Sequence, residues 1–382
     1  MFDEKTIKPV LKHTSPLSAR DGVLYIGGYG EAVEIPDPDG AIERLFELLD
    51  GTRSLDEIHE TLASRYPMIT HADVADAVHQ FDEAGFLLDA TQTAEGQLDD
   101  YELARWERNV NFFGSYAHLA DNKYAMQRKL RDTRVTLLGL GGLGTHLLLD
   151  MAAMGVGHVR AVEFDTVELS NLNRQILYRD SDIGKPKIEA ALPRVREFNP
   201  RIELEARPGR IESVEDVVRA AAGSDVVISV ADRPKMEIAR WVNEGCVRAG
   251  VPLITGGLET QRVVYYTVLP GRTGCVECWR SGVQREDDVS TALLQEKRDR
   301  RISGDKAAFC PLVTMTTGLL IGELTRLVTG IAPLTGTGRL MEMRFDDFVL
   351  RPAEQWERVA GCPVCGSAQA ARRAMAAAGS AR

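Results

Sequence analysis

Two groups of residues in this 382-residue chain have types and spacings that can do chemistry. The first is the run Gly139-Leu140-Gly141-Gly142-Leu143-Gly144, which follows the apolar stretch Val135–Leu138 and precedes an apolar, helix-like stretch from Leu147 to Met154. Glycines there allow a tight turn and a close approach of backbone to phosphate, and a helix starting at that point offers its N-terminal N–H groups to an anion. Glu163 ends the next apolar run, 19 residues beyond Gly144, where a carboxylate can accept from ribose hydroxyls. By themselves these features also fit a dinucleotide oxidoreductase, or a packing turn with a surface glutamate. The residues that follow suit a triphosphate better than a hydride-transfer site. Arg174 offers a planar fork for phosphate oxygens, Lys187 a point charge and Asn171 neutral donors. Asp232 follows the run Val226–Val230, and at the C-terminal end of a parallel strand its carboxylate would enter the ligand crevice and could hold Mg²⁺. The chemistry expected is attack on the α-phosphate of ATP.

The second group is cysteine. Cys275-Val276-Glu277-Cys278 and Cys362-Pro363-Val364-Cys365 are two Cys-x-x-Cys pairs, with 83 residues between them. Each spacing lets both thiolates face one ion, and four thiolates close a tetrahedral structural Zn²⁺ site with no position left for catalysis. Two unrelated reduced pairs are the alternative. Cys246, in a helical stretch after Trp241, reads as a core residue. Cys310 opens Cys310-Pro311-Leu312-Val313 beside a helix, which could lower its pKa, or it packs.

These residues need a scaffold. From about Tyr101 short apolar runs (Val135–Leu138, His158–Val162, Asp225–Ser229, Val251–Ile254) alternate with helical patterns, which predicts an α/β, Rossmann-like, doubly wound and mostly parallel sheet. Residues 1–90 predict a small winged-helix-like α+β domain. Its strands are Val23–Ile26 and Ala32–Ile35, joined by a turn at Gly27-Gly28-Tyr29-Gly30. A helix from about Gly40 buries Ile42, Leu45, Phe46 and Leu49. Ser54 and Glu57 form a capping box for a second helix, a third runs from about Ala72 to Ala84, and Phe86–Leu88 is a short strand. Residues 91–100 read as a polar linker, 101–366 as the catalytic domain with its cysteine knuckles, and 367–382 as a frayed tail.

A formal net charge of −10 disfavours bulk nucleic-acid binding, and the third helix carries four acids and no Lys or Arg, which a DNA reader would need. No apolar run approaches the roughly 18 residues that span a bilayer, and Met1–Lys5 does not begin a signal peptide, so the expected location is cytoplasmic, with no membrane partner.

Gly139–Gly144, the segment Glu163-Phe164-Asp165-Thr166-Val167-Glu168-Leu169-Ser170-Asn171-Leu172-Asn173-Arg174-Gln175, and Lys187 resemble the ThiF-type adenylating domain shared by molybdopterin, thiamin and ubiquitin-activating enzymes. The resemblance covers about residues 101–366. It implies a nucleotide site built from Gly139, Gly141, Gly142, Gly144, Glu163, Asp165 and Asn171, with Glu163 standing where the family has the ribose-binding aspartate of an Asp-x-Asp pair. It implies that Asp232 is the magnesium aspartate. Arg105-Trp106-Glu107-Arg108-Asn109 resembles the family's Arg-Tyr-x-Arg-Gln stretch, so Arg108 would reach a partner subunit's ATP site in a homodimer. Some relatives carry a catalytic cysteine in a crossover loop. Here that loop spans about Ser281 to Ala308 and contains charged runs (Arg285–Asp288, Lys297–Arg301) and no cysteine, which argues against thioester chemistry.

A second resemblance covers about residues 15–90. Leu49-Asp50-Gly51-Thr52-Arg53-Ser54-Leu55-Asp56-Glu57-Ile58 is similar to the recognition element of ribosomally made, modified peptides, related to the pyrroloquinoline-quinone peptide chaperone. There a leader peptide adds as a strand to a sheet edge against the third helix. A domain serving only stability or dimerisation is the alternative. The combined expectation is a homodimeric, ATP-, Mg²⁺- and Zn²⁺-dependent enzyme that adenylates a carboxylate of a precursor peptide, as microcin C-type and pantocin-type enzymes do. Catalysis is expected from Arg174, Lys187, Asp232 and Arg108. Two other readings are a sulfur-carrier-protein adenylyltransferase and a catalytically silent peptide-docking protein.

Overall fold

The structure is a computed structural model, and it describes residues 4–27, 32–234, 237–286 and 308–366. Most of the crossover loop, with the charged runs at 287–301, and the tail from 367 lie outside the described residues, as do 28–30 of the predicted turn. The chain divides into two compact units, Met1–Lys129 and Leu130–Arg382.

In the first unit, β1 (Pro9–Leu11) pairs antiparallel with β5 (Leu87–Asp89), and β2 (Leu17–Arg20), β3 (Val23–Ile26) and β4 (Val33–Pro36) form an antiparallel meander. Leu24 and Ile26 of β3 point inward, towards α1 (Ala41–Leu48), α2 (Leu55–Ala63) and α3 (His71–Glu83). The helices start where local chemistry supplies acceptors. Asp37 accepts from the Ile42 and Glu43 amides at 3.0 and 2.8 Å, and Ser54 and Glu57 form the expected capping box at α2. Thr70 and Asp73 form another at α3. Such a cap stabilises a helix by about 1 kcal/mol. Three further helices follow, α4 (Asp100–Arg105), α5 (Glu107–Tyr116) and α6 (Lys123–Asp132). β1 and β2 are absent from the sequence-based expectation, because three or four residues each, with β2 largely exposed, leave no periodic signal.

The second unit is built on an eight-stranded sheet. Five strands are parallel: β6 (Arg134–Leu138), β7 (His158–Glu163), β8 (Glu203–Pro208), β9 (Val226–Ser229) and β10 (Leu253–Glu259). β11 (Arg262–Val268), β12 (Arg339–Arg344) and β13 (Leu350–Gln355) extend it antiparallel, in the spatial order β13-β12-β11-β10-β9-β6-β7-β8. Within the parallel part the chain starts at the centre with β6, winds outward through β7 and β8, then returns to the other side of β6 with β9 and β10. This is the doubly wound α/β order, and its switch point lies between β6 and β9, where ligands bind at the strands' C-terminal ends. One face carries α7 (Gly142–Met154), α8 (Lys187–Phe198) and the long α12 (Cys310–Thr329), around a core of Leu137, Leu147, Met151, Ile228 and Leu320. The other carries α9 (Val214–Ala221), α10 (Ile238–Ala249) and α11 (Val276–Glu286), and its core includes the four paired cysteines and Cys246. Among the described residues, no helix is long and apolar enough to cross a membrane.

Candidate active site

The glycine run lies at the switch point. Gly139 leaves β6 with φ +97°, a conformation that glycine adopts without strain. A side chain there would meet the backbone of Val230 and Ala231 at 3.2–3.4 Å, so the turn lies directly against the segment that leaves β9. Helix α7 begins inside the run, at Gly142. Gly144 is the tightest point: a Cβ added to it would stand 1.9 Å from the Gly139 carbonyl oxygen. The first turn of α7 thus folds over the end of β6 and leaves its N–H groups facing the crevice.

Glu163 ends β7 and is buried. Its carboxylate accepts from the Leu140 amide at 2.7 Å and from the Phe164 and Asp165 amides at 2.7 and 2.9 Å. It therefore ties the glycine turn to the next loop, while a carboxylate's roughly four acceptor sites still leave one for a ligand hydroxyl. Tyr178 closes the same turn from behind, donating to the Leu140 carbonyl at 2.8 Å, and burial pushes its phenol far up, so it stays a donor. The sequence reading missed Tyr178, since a lone tyrosine in a loop gives no signal of a bond 38 residues away.

The loop between β7 and α8 brings the cations in. Lys187 is the first residue of α8, is buried, and holds its Nζ 3.4 Å from Asp165 Oδ2. Arg174 lies with its aliphatic stem against Gly142, where an added Cβ would be 3.3 Å from its Cγ and Cδ. Its guanidinium donates to the Ser170 carbonyl at 3.1 Å and to Asn173 Oδ1 at 2.8 Å, both uncharged acceptors. Asn171 is buried in the same loop, and its Oδ1 accepts from the Glu168 amide at 3.2 Å. The loop is anchored by Asp182, buried and paired with Arg194 of α8 at 2.6 Å. The hydrogen bond from Arg194 holds that carboxyl down at about 2. Asp232 is exposed and follows Ala231, the residue packed on Gly139. The structure thus brings Gly139–Gly144, Glu163, Asp165, Arg174, Lys187 and the base of Asp232 to one end of the sheet. Beyond them Arg210 lies over the Phe164 ring at 4.1 Å, and a cavity of about 370 Å³ opens among Arg210, Glu212, Arg233, Pro234 and Trp241. Arg108 belongs to the other compact unit, exposed on the first turn of α5.

The four paired cysteines converge as the spacing suggested. Their sulfurs all lie within 4.8 Å of one another, and all four residues are buried. The closest pairs are Cys278–Cys365 at 3.3 Å and Cys275–Cys362 at 3.6 Å. Hydrogen bonding to Cys365 and burial push the Cys275 thiol up, and burial pushes Cys278 up. Cys246 stands apart in α10, fully buried, its thiol likewise pushed up by burial. Cys310 is half-buried as the first residue of α12.

The sequence pattern of the ThiF family matches residues 110–364. The chain belongs to the ThiF family. It is accordingly an ATP-dependent adenylyltransferase. The sulfur carrier protein ThiS adenylyltransferase of Escherichia coli is 33% identical over 284 residues, covering 72% of this chain and 99% of that protein. Among solved structures, E. coli MccB with ATP superposes with a TM-score of 0.74 at 23% identity, covering 94% of this chain and 99% of that one. The microcin C7 biosynthetic enzyme MccB in complex with N-formylated MccA gives 0.73 at 22% identity, with the same coverage. In a ThiF-family protein the contact at Gly144 has a direct consequence. Gly144→Ala is expected to lose about 1–3 kcal/mol of stability through overpacking and to weaken ATP binding at least tenfold, measured by thermal melting and calorimetric titration. Native affinity in the alanine variant would show that α7 need not approach the turn so closely.

Proposed function

We propose that this adenylyltransferase acts on a carboxylate of a ribosomally made precursor peptide. One observation carries the reading. The sulfur-carrier relative accounts for 72% of the chain and the family pattern begins only at residue 110, whereas the MccB fold accounts for 94%. Most of the first unit therefore has a counterpart in a peptide-adenylating enzyme's fold and lies outside the family's shared core. On this reading residues 15–90 bind the leader, 91–100 link, 101–366 adenylate, and the protein works as a cytoplasmic homodimer.

Mg²⁺·ATP is held with its phosphates at the N-terminus of α7, its ribose at Glu163 and Asp165, and its base towards the cavity beside Arg210. Asn171 donates to the phosphates, and Asp232 holds the metal. A peptide carboxylate oxygen attacks the α-phosphorus, the bond from that phosphorus to the α–β bridging oxygen breaks, and pyrophosphate departs, leaving an acyl adenylate; a magnesium ion held by Asp232 would offset the charge on the departing group. Arg174, Lys187 and Arg108 from a second subunit stabilise the charge gathering on the phosphate oxygens. The cysteine cluster holds a structural zinc: four buried thiolates with no open position are the donor set of such a site.

Charge supports the peptide reading. Residues 1–90 contain eighteen acidic and seven basic residues, a net −11, more than the whole chain's −10. Such a unit repels nucleic acid and attracts a basic peptide. β4 is an edge strand, able to add a peptide strand. Titration of a fluorescent precursor-peptide leader against the full chain tests this. Asp76→Lys with Glu83→Lys, both exposed on α3, is expected to weaken leader binding about tenfold at low salt and leave ATP binding unchanged. If no leader binds and pyrophosphate exchange instead responds to a carrier protein ending in Gly-Gly, the sulfur-carrier reading takes first place, as its 33% identity would favour.

A further inference from the structure

We infer that His146 is a positioning residue for Arg174, holding it over the N-terminus of α7; this rests on the reading that Arg174 serves the phosphates. His146 is on the second turn of α7 and is buried. Its Nε2 lies 3.2 Å from the Arg174 carbonyl oxygen, 28 residues away in sequence. A carbonyl can only accept, so Nε2 carries the proton, and the ring acts as a fixed donor. Arg174 is thereby held at two points on the same helix: its carbonyl by His146, and its stem by Gly142, whose missing Cβ leaves the space the stem fills. The rest of the β7–α8 loop is long and partly exposed, with Ser170, Asn173 and Ile176 open to solvent, and the carbonyl bond adds a directional tie between this cation and the sheet-packed helix. Preorganisation of a cation in this way removes the cost of ordering it when the triphosphate arrives.

A double-mutant cycle on the full chain tests the assignment, with Mg²⁺·ATP as the probe and calorimetry as the readout. Arg174→Ala is expected to weaken ATP about tenfold or more, as loss of a charged hydrogen bond does. His146→Leu is expected to cost most of that in the native background and nothing further in the Arg174→Ala background. His146→Gln, which can still present an N–H, is expected to bind within about threefold of native, whereas the shorter His146→Asn behaves like the leucine variant. Equal losses from His146→Leu in both backgrounds would assign it a general packing role and overturn the proposal, as would native affinity in the single variant. If the leucine variant does not fold, equal affinity of the Gln and Asn variants overturns it. A folded native protein that fails to bind ATP would instead remove the phosphate reading on which the proposal stands.

Discussion

Asp232→Ala is expected to lower peptide-dependent exchange of pyrophosphate into ATP about a thousandfold, the scale on which preorganised charge stabilisation acts at a transferring phosphate. Melting should barely change, because the side chain is exposed and surface substitutions usually shift stability by less than about 0.5 kcal/mol. Position is the physical reason. Ala231 packs on Gly139 at the switch point, so the next residue emerges where the phosphates of a nucleotide on α7 would lie. Asp232→Asn separates charge from shape: an amide of the same size lacks the anionic oxygens a hard cation prefers, and it should be nearly as inactive. Full exchange activity in a folded Asp232→Ala protein would take the residue out of the site and leave the metal to the phosphates and water alone.

The cysteine cluster carries the second large effect, and it concerns stability. One zinc per chain is expected by elemental analysis of protein purified without chelator. Cys278→Ser should lose that zinc and lower the melting temperature by about 10 °C, since a closed metal site supplies folding free energy directly. The cluster joins the start of α11, through Cys278 and the preceding Cys275, to the segment beyond β13 that carries Cys362 and Cys365, and its sulfurs are part of the apolar core under α9 and α10. Without a cation, four buried sulfurs within 4.8 Å have one another and a few backbone amides, such as that of Val359 on Cys278 at 3.4 Å, for partners, a poor exchange for water. ATP affinity of the variant at low temperature should stay close to native, because the cluster lies on the opposite face of the sheet from α7 and α8. Metal-free protein with unchanged melting would show that the thiols pack as a reduced cluster.

Much of this was readable in the chain. The glycine run, the acid ending the next strand, the Ser-Asn-Leu-Asn-Arg-Gln segment and Lys187 form one ordered pattern, because they follow one another through a strand end, the loop beyond it and the next helix start. Gly139 and Gly144 had to be glycine, for a left-handed φ and for a contact that admits no Cβ. Each Cys-x-x-Cys pair showed that its own two thiols face one centre, and the family resemblance, not the spacing, favoured the two pairs sharing it across 83 residues. The central strands could be read because strands covered on both faces become apolar runs, as in β6 and β9, whose residues are buried almost throughout. β8, with a mostly exposed edge sequence, gave no such signal, and neither did β11, which alternates, nor the short β12 and the mostly exposed β13, which only the whole sheet pairs. Tertiary structure alone decided three things at the site. Glu163 is committed to three backbone amides, Tyr178 braces the turn through a carbonyl 38 residues away, and His146 reaches the backbone of Arg174. The Glu163–Leu140, Tyr178 and His146 bonds each join a side chain to the main chain of a distant segment. A main-chain partner has the same chemistry whatever residue bears it, so the sequence holds no mark of the pairing, and only the packing of helix, strand and loop brings the two together.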